Sequence, residues 1–207
     1  MERSKLVDES DGCKESVLRL LRDPDLKLSE GEWKVLPLIS DAAPWDKGGP
    51  EERAYCGSLA VPAEALIAVD KSMHTSRRAC LDAPGDDDLF VDPSTGLSHG
   101  KAVRYVAFSE IRSLCASSTR LVAIYDESCS RNILGAEGKE YPEGERFVVA
   151  LKRHAETELI PELCGLFPLV WIRPGISFVF ASSTEVRVER VEEAIRARYG
   201  AFARLVK

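Results

Sequence analysis

About seven short apolar segments followed by one long amphipathic segment predict an α+β domain: an antiparallel seven-stranded β-barrel or sandwich, capped by a C-terminal α-helix and preceded by a short N-terminal helix. Two further observations support it. Ile176, Phe178 and Phe180 recur at period two, the pattern of a strand with one face in a core. Val188, Val191, Ile195, Tyr199, Phe202 and Val206 then follow at steps of three or four, the pattern of a helix with one apolar stripe. Between them Ser182 and Glu185 form S-x-x-E, which predicts a capping box at the helix start.

Taken in order, residues 1–11 are charged, and Val17, Leu18, Leu20 and Leu21 predict a short helix stopped at Asp23-Pro24. Residues 1–29 are thus expected to be a leader with one helix, and residues 30–207 the domain proper. Residues 30–39 carry Trp33, Val35, Leu36, Leu38 and Ile39 and predict a first strand, at an edge or with a bulge because Pro37 cannot donate to a ladder. Residues 54–60 and 65–69 read as short strands on either side of Val61-Pro62. Residues 71–100 are polar, with Asp86, Asp87 and Asp88 and the turn formers Pro84-Gly85 and Pro93-Ser94-Thr95-Gly96, and predict a long inserted loop. Strands are expected within KAVRYVAFSEIRSL and at 121–125, 146–151, 169–172 and 175–180, with a short helix over 156–163 broken by Pro161.

Trp33 in the first strand, the phrase VAFSEIRSL in mid-chain and the ending SFVFASSTEVRVERVEEAI together resemble the pleckstrin-homology superfold, over most of the stretch from Trp33 to Lys207. The tryptophan usual in that family's last helix is absent, with Val188 or Val191 at the corresponding inward positions. The resemblance implies a non-enzymatic module that binds a protein partner at a sheet edge or against the barrel. It also implies a possible phosphoinositide site in the loop between the first two strands, where the available cations are Lys34, Lys47 and Arg53. Asp41, Asp46, Glu51 and Glu52 dilute them, so a lipid headgroup is disfavoured.

Composition limits the other classes. The chain of 207 residues carries a net charge of -6, which argues against a protein built to neutralise nucleic-acid phosphates. No stretch is apolar enough for a membrane span, and the charged start is unlike a secretory signal. Cys13, Cys56, Cys80, Cys115, Cys129 and Cys164 are dispersed without a C-x-x-C pair, so free thiols in a cytoplasmic protein are expected, with no metal and no cofactor.

The competing enzyme reading, a small hydrolase or metal-dependent enzyme on a β-rich fold, has to draw on His74, His99 and His154 with nearby acids, or on Cys56 or Cys115 as nucleophile. No H-x-x-x-H spacing, nucleophile elbow or phosphate loop accompanies them, and no catalytic residue is assigned. The acid run at 86–88, with Asp82 and Asp92, lacks the alternation of a calcium loop and reads as a solvated tip. Arg187, Arg190, Arg196 and Arg198 alternate with glutamates and read as a salt-laced outer helix face.

Overall fold

In a computed structural model of the chain, described over residues 11–29, 32–38, 46, 48–67, 81, 87–93, 96–98, 106–116, 119–126, 145–173, 176–200 and 203–207, the strands form an open mixed sheet. The strands are β1 (Trp33–Leu38), β2 (Asp88–Pro93), β3 (Leu97–Ser98), β4 (Val106–Ala107), β5 (Val122–Asp126), β6 (Phe167–Arg173), β7 (Ile176–Ser182) and β8 (Arg204–Val206). Six of them line up as β1-β2-β5-β7-β6-β8, and β3 pairs with β4 separately. β1, β2 and β5 run parallel, whereas β7 is antiparallel to β5 and to β6, and β8 is antiparallel to β6. The expected antiparallel barrel is therefore incorrect: the sheet is open, half of it is parallel, and helices cover both faces.

Five helices are described: α1 (Asp11–Leu21), α2 (Pro50–Leu59), α3 (Phe108–Ala116), α4 (Glu145–His154, continuing through a π turn at Ala155–Leu159 into Ile160–Glu162) and α5 (Glu185–Tyr199). One core packs α1, α2 and α5 against Trp33, Val35, Phe90, Tyr125, Trp171, Phe178 and Phe180. The opposite core packs α3 and α4 against Leu36, Val91, Ile124, Val170 and Val179. Parallel strands need crossover connections, and these bring helices onto the sheet faces.

The strands consequently read as nearly continuous apolar runs. In β7 every residue is buried, Phe178 and Phe180 on one face and Val179 and Ala181 on the other. A barrel strand wetted on one side would leave Val179 and Ala181 in water.

Several local expectations change with the architecture. Residues 54–60 lie in or just beyond α2, which begins at Pro50 with Glu51 and Glu52 in its first turn, a favourable helix start. Of residues 65–69, the described ones (65–67) supply the end of the 3₁₀ turn Ala63–Ala65 and a single parallel bridge from Leu66 to Val35. Residues 146–151 are helical in α4, and VAFSEIRSL is a two-residue strand running into α3. The expected insertion at 71–100 contains β2, an interior strand.

Other expectations match. β1 is an edge strand, as Pro37 implied. Its outer side is partly occupied, since the Ile67 N–H donates to the Val35 carbonyl at 2.9 Å. Val188, Val191 and Ile195 are buried. The capping box is absent: Thr184 is the N-cap, its side chain makes no cap bond, and Ser182 accepts the Thr184 N–H at 3.2 Å. The helix found within 1–29 sinks Val17, Leu18, Leu20 and Leu21 into the same core as Trp33.

Candidate functional site

Three buried polar clusters punctuate the sheet. At the entry to β2, Asp88 accepts from Arg187 Nη2 at 2.6 Å, from Ser29 Oγ at 2.6 Å and from the Leu121 N–H at 2.7 Å. Arg187 also donates to the carbonyls of Leu28 at 3.1 Å and Thr119 at 3.2 Å. At the exit of β2, Asp92 accepts from the Tyr55 hydroxyl at 2.7 Å and from Lys14 Nζ, whose ammonium lies 4.3 Å from the centre of the Tyr125 ring. On the opposite face Asp126 accepts from the Leu97 N–H at 2.9 Å and from Ser177 Oγ at 3.2 Å. Asp88, Asp92, Asp126, Lys14 and Arg187 are all buried, and these bonds satisfy charges that would otherwise be costly to desolvate.

The first cluster fixes one wall of an open cleft of about 450 Å³, within the size range of ligand sites. The end of α1 and the segment that follows it contribute Arg22, Asp23, Lys27, Leu28 and Ser29; β1 contributes Trp33; and the stretch after α2 contributes Pro62, Glu64 and Ala65. Leu28 and Ser29 are held from behind by the Arg187–Asp88 pair. The two sides are tied by Arg22, which donates to the carbonyl of Ala60 at 3.3 Å. Ala60 itself closes α2 in the left-handed conformation. Trp33 is buried, and its indole N–H has no hydrogen-bond partner among the described residues.

Lys34, the first of the three expected headgroup cations, pairs with Glu32 at 2.9 Å near the cleft and also reaches the Glu64 carbonyl at 3.4 Å. The same contact holds the Glu32 carboxyl below its ordinary range and the Lys34 ammonium above its own. Arg53 donates to the Gly48 carbonyl at the start of α2, beyond the far end of β1. Lys34 and Arg53 thus lie at opposite ends of β1, and Lys47 is outside the described residues.

Of the enzyme candidates, His74 and His99 lie outside the described residues. His154 is buried at the end of the regular part of α4, with Nδ1 at 3.4 Å from Glu158 and Nε2 without a partner among the described residues. Burial pushes the Cys115 thiol up to about 12 and raises Cys56 as well, the latter helped by Glu52 and Glu64. Both are held as thiols, the less nucleophilic form. Among the described residues no group of three or more His, Cys, Asp or Glu side chains is placed to hold a metal. No helix among them is long and apolar enough to cross a membrane.

Sequence reasoning missed two contributors to the cleft. Arg187, assigned to an outer stripe, is buried behind it, and Asp88, assigned to a solvated tip, is the first residue of an interior strand. The legible signal was the position of Asp88 immediately before Leu89, Phe90 and Val91, an apolar run that starts a strand. No protein-family model, curated protein or solved structure matches the chain.

Proposed function

We propose that the chain is a cytoplasmic, non-enzymatic protein-interaction domain that seats a short segment of a partner in the cleft between α1 and the stretch after α2. The observation that carries this reading is the cleft itself: open, lined equally by polar and apolar residues, with one wall braced from within by Arg187 and Asp88. Rigid walls lower the ordering cost of binding. The raised thiols of Cys56 and Cys115 weigh against a cysteine nucleophile. Cys13, Cys56, Cys115 and Cys164 are unpaired, as suits a reducing compartment.

The test is selection of binders from a phage-displayed random peptide library against the full chain, followed by crosslinking. A photoreactive phenylalanine analogue replacing Lys27 is expected to capture the selected peptides. The same analogue replacing Val149, which is 66% exposed on the opposite helical layer, is expected not to. Failure to enrich peptides, or equal capture at both positions, would overturn the proposal.

A further inference from the structure

Five ionisable side chains line the cleft, but three have their charge or hydrogen bonds already committed. Arg22 donates to the Ala60 carbonyl at 3.3 Å, Asp23 accepts the Asp25 N–H at 3.0 Å, and Glu32 pairs with Lys34 at 2.9 Å. Lys27 and Glu64 remain. Both are exposed, and among the described residues neither side chain closes an ion pair or a hydrogen bond, although the Glu64 carboxylate lies near enough to the Lys34 ammonium to help raise it. They come from different segments, Lys27 from the α1–β1 connection and Glu64 from the turn Ala63–Ala65.

Lys27 has φ of 48°, a left-handed conformation that a residue other than glycine adopts at a cost. Such a strained residue at the lip of a cleft is a pointer to function when it also carries an uncommitted charge.

We infer that the bound segment is dipolar, presenting an acidic side chain to Lys27 and a basic one to Glu64; this rests on the peptide-binding reading above. The two opposite charges orient the segment, because the reversed alignment would set like charges against each other at both ends. An all-acidic or all-basic segment would satisfy one and repel the other.

Charge reversal tests it. Peptides selected on the unaltered chain are expected to carry both an acid and a base. Lys27→Glu and Glu64→Lys, each checked for an unchanged melting temperature, are expected to weaken their binding about three- to fivefold, as partly solvated ion pairs do. Replacing the matching acid or base in the peptide by its opposite is expected to restore it. Lys27→Gly, which keeps the left-handed backbone without strain, is expected to weaken binding while leaving the fold at least as stable. A purely structural role for Lys27 would not separate those two readouts. Peptides that crosslink at position 27 yet bind the reversed variants equally well would overturn the dipolar inference and leave the cleft as the binding site. Peptides that fail to crosslink there would overturn both.

Discussion

Asp88 and Arg187 are each only 3% exposed, so their energetics are those of an ion pair in the interior. Breaking such a pair by removing one partner leaves a desolvated charge, a cost of about 3–5 kcal/mol. Arg187→Met is expected to lose that much in urea denaturation, whereas Arg190→Met, three residues on and exposed, is expected to change stability by less than about 0.5 kcal/mol. Cys115 offers a second check. Its thiol is held up near 12 against an ordinary value of 9.0, so in that interval the unfolded chain releases a proton that the folded chain retains. Its contribution to stability is complete below about pH 9 and declines as pH rises towards 12, and Cys115→Ala is expected to flatten that part of a pH–stability profile. Sequence spacing could show that Asp88 opens a strand but not that Arg187 pairs with it. Arg187 shares its helix with arginines that do face solvent, and only the position of Asp88, 99 residues away in the chain, distinguishes it.

At the scale of elements, α5 was legible as far as Tyr199 because its apolar stripe is set by the helix repeat, whatever surface it meets; Val206, read into the same stripe, lies instead in β8. Val191→Asp is expected to unfold the protein, since an unpaired charge beside Phe178 and Phe180 costs several kcal/mol. Glu185→Ala is expected to cost less than about 0.5 kcal/mol, because Thr184 rather than Ser182 is the N-cap and no capping box is formed; thermal melts of the two variants would separate the cases. The strands were legible as strands but not in their pairing. A residue pattern tells how many faces are buried only if the alternate positions are polar, and in β7 they are Ser177, Val179 and Ala181, all buried. α4 was misread because Phe147, Val148 and Val149 favour a strand locally, while the helix is fixed by packing Leu151, Ala155 and Leu159 into the second core.

Across the whole molecule, α1 belongs to the same packing unit as the sheet. Val17, Leu18, Leu20 and Leu21 are at most 1% exposed, and burying each contributes about 1.5–3 kcal/mol, comparable in sum with the roughly 5–15 kcal/mol by which a domain is stable. Deleting residues 1–21 also strands Asp92 without Lys14. The shortened chain is expected to lose cooperative unfolding, measured by circular dichroism against denaturant. The cleft itself was not legible, because its walls come from segments that the sequence could not place side by side.

The bond from Arg187 to the Leu28 carbonyl spans 159 residues. A chain growing from its N-terminus makes the lip of the cleft early and the guanidinium that braces it late. Nascent or prematurely terminated chains that stop before α5 thus carry the cleft's side chains without its fixed wall. On the function proposed above, the cleft becomes competent only once α5 has been made.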